Sequence, residues 1–159
     1  MKRPYSVMTT LRFLLIFTVL FGLITGCKKD DGATPTESTQ TDLLVANNWV
    51  TTSITTTDGQ AIKESRLGLE SQVLFTLTMQ FRADGTVRAL DPNRSNTVVN
   101  GGSWKFAADN QSMDVDVTGF KGNFPIVQLT KNKLILRQDN KATVDGVKTN
   151  IYLVFEPSL

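Results

Sequence analysis

The chain contains no histidine and one cysteine in 159 residues. Without histidine there is no Ser-His-Asp or Cys-His catalytic arrangement, no imidazole metal ligand and no ordinary general base near neutral pH. A lone cysteine excludes an internal disulfide and any zinc site built from several thiolates. The chain also lacks an apolar run long enough to cross a membrane as a helix. Its longest run, Phe13 to Ile24, falls short of the ~20 residues that a span requires. Charge of one sign is scarce as well: 17 Lys+Arg stand against 15 Asp+Glu, and no basic stripe with interleaved aromatics marks a nucleic-acid surface.

What is present begins with an address. Residues 1–26 carry Lys2, Arg3 and Arg12 and no acid, and the apolar run follows them. Basic start, short apolar core and small residues at the end are the plan of a signal peptide. The segment closes on Ile24-Thr25-Gly26-Cys27, which resembles a bacterial lipobox. That resemblance implies cleavage before Cys27 and acylation of its sulfur and new amino group. Cys27-Lys28-Lys29-Asp30-Asp31-Gly32 resembles the export signal of Bacteroidetes-type surface lipoproteins, with Lys29, Asp30 and Asp31 as the signal residues. It implies display on the outer face of the outer membrane, held by acyl chains worth ~0.8 kcal/mol per buried methylene. Removing residues 1–26 leaves 14 bases against 15 acids, so the exported product has no basic field, and nucleic acid is not an expected partner.

From Asp30 to Thr41 the sequence DDGATPTESTQT holds almost nothing apolar and reads as a tether, so residues 27–41 are the lipidated Cys and its linker. The folded part is expected over 42–159, 118 residues with room for one ordinary core. Asp42–Asn47 suits a short helical turn capped by Asp42. Beyond it the apolar period becomes two. Val73, Phe75, Leu77, Met79 and Phe81 alternate with polar or outward positions, which predicts one long half-buried strand ending in the Ala83-Asp84-Gly85 turn. Trp49–Thr57, Thr86–Leu90, Gly101–Ala107, Ser112–Val117, Phe124–Thr130, Lys133–Gln138 and Val147–Glu156 complete a set of about eight strands. Ile62 and Leu69 recur at helical spacing, so Ala61–Gln72 reads as a short helix over one end.

Strands this evenly spaced, without interleaved helices, make an all-β antiparallel meander. An up-and-down barrel removes the edges; a two-sheet sandwich uses the same signals. The domain also resembles the small lipocalin-like lipoproteins that carry such signal peptides. Leu43–Val50 is similar to their helical turn and first-strand Trp, and Leu77–Val87 to their apolar strand and Asp-Gly-Thr hairpin. Gly102–Phe106 is similar to their Gly-x-Trp strand, and Val127–Leu136 to their penultimate hairpin. The resemblance implies a lipocalin-like barrel.

Candidate chemistry is sparse. Asp114 and Asp116, with Asp109 nearby, alternate with Met113, Val115 and Val117 and so read as a solvated outer face. Gly101-Gly102 precedes no helix and reads as a turn or bulge. No cofactor or metal site is expected, and no enzyme activity. Trp49, Phe75, Leu77, Met79, Phe81, Trp104 and Phe106 are the candidates to line a cavity for a small apolar molecule or glycan fragment. The same residues would otherwise fill a barrel of eight strands. A filled barrel points instead to a protein-interaction module, either an accessory subunit of an outer-membrane complex or an enzyme inhibitor. Recognition would then fall to the long polar connection included in Arg88–Asn100 and to another at Asp139–Asp145.

Overall fold

The structure, a computed structural model, describes residues 37–158. The signal segment, Cys27 and Lys29-Asp30-Asp31 lie outside the described residues. Eight strands follow a short helix: α1 (Glu37–Val45), β1 (Asn48–Thr56), β2 (Thr78–Phe81), β3 (Thr86–Asp91), β4 (Thr97–Phe106), β5 (Ser112–Val117), β6 (Phe120–Leu129), β7 (Leu134–Val144) and β8 (Val147–Pro157). Each strand pairs antiparallel with its neighbours in sequence, and β8 returns to β1 from Trp49↔Pro157 to Thr56↔Ile151. The result is a closed up-and-down barrel, which decides against the sandwich and leaves no sheet edge unpaired.

Alternation along the strands sets the inside and outside. On β5, Met113, Val115 and Val117 are buried while Asp116 is exposed. On β8, Ile151, Leu153 and Phe155 point inward, and on β7 Leu134 and Leu136 do. The aromatic residues pack by edge and face: Trp104 meets Phe81 and Phe106 edge-on at 5.8 and 5.3 Å, and Phe120 stacks on Phe124 at 4.5 Å. The last hairpin closes on a two-residue turn where the sequence signals it. Asp145 and Gly146, at φ 50 and 80°, join β7 to β8 with the left-handed pair that matches strand twist.

The strand expected over Val73–Phe81 is divided. Only Thr78–Phe81 is strand, and Val73–Thr76 is a 3₁₀ turn continuing from α2 (Leu69–Gln72). Leu74, on the polar side of the alternation, is buried, and Val73 is 46% exposed. Tertiary packing wins here: a run this apolar fits a period of two or of three, and Leu74 closes the end of the barrel by taking the second. In the same interval Ile62 and Leu67 are buried while Leu69 is 82% exposed, so the inward partner of Ile62 is Leu67.

Both segments with an expected polar connection are largely strand. Arg88–Asn100 belongs to β3 and β4, turned at Pro92–Arg94, where Asp91 Oδ1 accepts from Asn93 N at 2.9 Å. Asp139–Val144 lies in β7, whose pairing with β8 is irregular from Gln138 to Ala142 and resumes at buried Ala142. Gly101 and Gly102 are strand residues opposite Arg88 and Val87. A Cβ on Gly102 would stand 1.8 Å from Asp116 O, so the close approach of β4 and β5 requires glycine there. Finally, α1 begins at Glu37 rather than Asp42. Its Gln40 is buried, because this stretch packs on the barrel.

Candidate functional site

The seven residues nominated as cavity lining divide into two groups. Trp49, Met79, Phe81, Trp104 and Phe106 are buried in one hydrophobic cluster, with Trp49 directly paired to Met79 across β1 and β2. Phe75 and Leu77 are only partly buried and pack against that cluster from the closing segment. Trp49, Met113, Leu134, Leu136, Ile151 and Leu153 are 0% exposed. Side chains this fully enclosed pack against one another, so these residues fill the barrel where they meet.

Both ends are closed. At one, α1 packs on β2 and on β6, strands four apart in an eight-stranded ring, so the helix crosses the mouth. Leu44 enters the core from it, and Trp49 Nε1 donates to Leu44 O at 2.8 Å. At the other end, residues 62–76 fold across, contributing Ile62, Leu67 and Leu74 to the core. Gly68 N donates to Thr143 O and Asp145 N to Arg66 O, each at 2.8 Å. The Arg66 guanidinium hydrogen-bonds the Asp145 carboxylate, through Nε at 2.9 Å. That contact holds Asp145 below the usual carboxylate range and Arg66 above its ordinary value.

Open space lies outside the wall. A groove of about 630 Å³ runs between α1 and the β5–β6 surface. The 107–111 turn forms one side: Asn110 N donates to Ala107 O at 2.9 Å, and Gln111 N to Asp109 Oδ1 at 2.9 Å. The other side is β6, where the register against β7 shifts between Ile126 and Gln128 and leaves Val127 about half exposed. Such bulges re-aim side chains at barrel rims. Gln40 and Leu43 of α1 complete the lining. A smaller depression of about 330 Å³, beside Lys131 and Asn132, also borders Leu43.

Gln40 stands apart from its surroundings. It is 6% exposed, yet its Oε1 has no hydrogen-bond partner. An unmet buried acceptor of this kind costs about 1–3 kcal/mol. Thr51 Oγ1, on β1, is likewise unpartnered, but it does not line the groove. The charged groups of the groove are answered locally: Arg137 Nε donates to Asp139 Oδ2 at 3.1 Å, and Asp109 takes the Gln111 amide.

The remaining acidic candidates form ordinary outer-face pairs. Lys121 Nζ reaches Asp116 at 2.8 Å, and Asn123 Nδ2 reaches Asp114 at 2.9 Å. Among the described residues, no group of three or more His, Cys, Asp or Glu is placed to hold a metal. None of their helices is long and apolar enough to cross a membrane.

Sequence reasoning missed the groove because Gln40 lay in a stretch of tether-like composition. The one signal was spacing: Gln40 precedes Leu44 by four, which puts both on one helical face.

No protein-family model matches the chain, and no curated protein matches it. Among solved structures it is similar to a lipocalin-like protein from Bacteroides uniformis, with a TM-score of 0.46 and 13% identity over 72% of this chain and 98% of that one. It is also similar to a DUF4847 family protein from Bacteroides vulgatus, with a TM-score of 0.43 and 13% identity over 72% of this chain and 94% of that one.

Proposed function

We propose that this is a non-enzymatic, lipid-anchored surface lipoprotein that binds a small molecule in the groove outside its barrel wall. The carrying observation is the pairing of a packed, doubly capped interior with an open exterior groove of about 630 Å³, within the range of small-molecule sites. The barrel then acts as a rigid scaffold. In the groove, Asp109 and Arg137 are held by Gln111 N and Asp139, which suits orientation of a ligand better than proton transfer. Cys27 is the proposed anchor, in the outer membrane, with Lys29, Asp30 and Asp31 directing the domain to the exterior.

Native mass spectrometry after incubation in a small-molecule extract of the producing cells tests the site. Retained ligand should be lost in Val127→Arg, which fills the groove from a half-exposed position. Ligand that survives Val127→Arg sinks the groove assignment. For the address, Cys27→Ala should abolish membrane partition. Replacing Lys29, Asp30 and Asp31 with Ala should leave the chain anchored but sheltered from external protease; full accessibility of that variant defeats the export reading.

The packed interior also favours a second reading, a protein-interaction module on an outer-membrane partner. Crosslinking on intact cells separates the two: one stoichiometric partner protein supports the module, and its absence alongside a retained small molecule supports the groove.

A further inference from the structure

We infer that the groove selects a neutral, hydroxyl-rich ligand, a short glycan fragment, and that Gln40 is the residue that recognises it. This rests on the groove being the binding site.

The lining divides ligand classes by what it leaves unanswered. An anionic ligand needs an uncompensated cation, and the charge of the guanidinium bordering the groove is already answered by Asp139, which meets both Nε and a terminal nitrogen, at 3.1 and 3.0 Å. The nearby carboxylate of Asp109 adds repulsion. A purely apolar ligand is no better placed, because it would cover the side-chain amides of Gln40, Gln111 and Gln128 and leave their donors and acceptors without water or partner. Amides present two donors and an acceptor each, a set that hydroxyl groups match in both directions. Between them Ile126 and Val127 supply aliphatic surface for the C–H face of a sugar ring.

Gln40 is the discriminating group. It borders the groove, is more than nine-tenths buried, and carries an oxygen with no donor. A half-turn about its last side-chain torsion moves that oxygen, and a ligand hydroxyl supplies the missing hydrogen. Groove water takes the same place in the free protein, and a bound polyol displaces it with a hydroxyl already positioned.

The test follows backbone amides of the ¹⁵N-labelled mature, lipidated chain in micelles. Maltotriose, cellotriose and mannotriose serve as neutral probes, trigalacturonate as the anionic one and cyclohexanol as a ring with one hydroxyl. At least one neutral trisaccharide should shift Gln40, Ile126 and Val127. Gln40→Leu should weaken that binding at least tenfold while melting no lower than the parent, since it removes an unmet polar atom. Gln128→Ala, at an exposed position, should weaken it about threefold. Unchanged affinity in Gln40→Leu overturns the role of Gln40. Equal or tighter binding of trigalacturonate or cyclohexanol at these residues overturns the ligand class and leaves the groove as the site. If no trisaccharide shifts them, the glycan assignment falls; an extract-derived ligand still lost in Val127→Arg would show that the groove itself stands.

Discussion

The two ends of the barrel are closed by different means. Residues 62–76 are bound to the sheet through the backbone: Ile62 N to Ile54 O, Gly68 N to Thr143 O, Asp145 N to Arg66 O, and a bridge between Leu67 and Val144. The helix α1 is held by Trp49 Nε1 on Leu44 O and by the packing of Leu44, and the link after it by Asn47 Nδ2 on Lys131 O. A closure that shares the ladder's hydrogen bonds opens only when the ladder does. One held by side chains can adjust without breaking the sheet. The groove and the unmet oxygen of Gln40 lie at the adjustable end, which suits the proposed site.

The largest expected effect tests how much α1 depends on its tie. Trp49 is 0% exposed, so Trp49→Ala should cost about 3–5 kcal/mol, a large share of the 5–15 kcal/mol typical of a domain. Trp49→Phe keeps most of the packing but leaves Leu44 O without its donor, for about 1–3 kcal/mol. Urea midpoints at constant slope read both. If Trp49→Phe proves neutral, the hydrogen bond is not what holds the helix, and the contrast between the ends rests on packing alone.

Next in size is a gain. Gln40→Leu replaces an unpartnered buried amide with an apolar side chain of similar size, and should raise stability by about 1–2 kcal/mol. A stabilising change at this buried polar residue of α1 would mean that the parent gives up stability there. A loss of stability would show that Gln40 has partners in solution and would erase the difference.

Hydrogen exchange compares the ends directly. Amides of Gly68 and Asp145 should exchange with global unfolding, while the amides of α1 should open at least tenfold more readily, a difference of about 1.4 kcal/mol. Equal protection at the two ends would break the comparison.

Much of the architecture is legible from period and punctuation. Met113, Val115 and Val117 against Asp114 and Asp116, and Ile151, Leu153 and Phe155 on the last strand, mark inside and outside without ambiguity. Gly85 and Asp145-Gly146 stop strands where left-handed backbone is needed. The errors cluster where local pattern and tertiary demand diverge. Val73–Leu77 satisfies a strand's alternation, yet the barrel needs Leu74 as a lid. Ala142 carries strand β7 through a segment polar enough to pass for a loop. The site was the least legible part, because a groove between α1 and β6 is a property of juxtaposition: Gln40 and Val127 are far apart in sequence, and neither belongs to a chemical motif.

The smallest expected effect is on pH dependence, and it tests what secures the backbone-bonded end. Asp145 is held below the usual carboxylate range by the hydrogen bond from Arg66, and Asp84 by hydrogen bonds from the Thr86 hydroxyl and backbone N–H. Asp145 secures the 62–76 closure, whereas Asp84 sits in the β2–β3 turn at the α1 end. In both, the folded chain favours the ionised form more than the unfolded chain does, whose carboxylates titrate near about 3.9. Their contribution is therefore present above that pH and is lost as the pH falls through the depressed folded values. Both carboxylates are solvent-exposed, so screening keeps each effect small, and salt should reduce it further. Urea midpoints should fall between about pH 5 and pH 3, and Asp145→Asn and Asp84→Asn should each flatten that decline. Exchange at acid pH checks that the backbone-bonded end shares the loss. Because Gly68 exchanges with global unfolding, its protection should fall with pH in the parent and fall less in Asp145→Asn and in Asp84→Asn alike. If Asp145→Asn leaves the fall intact, the Arg66–Asp145 contact does not secure the backbone-bonded closure, and its firmness comes from the sheet as a whole.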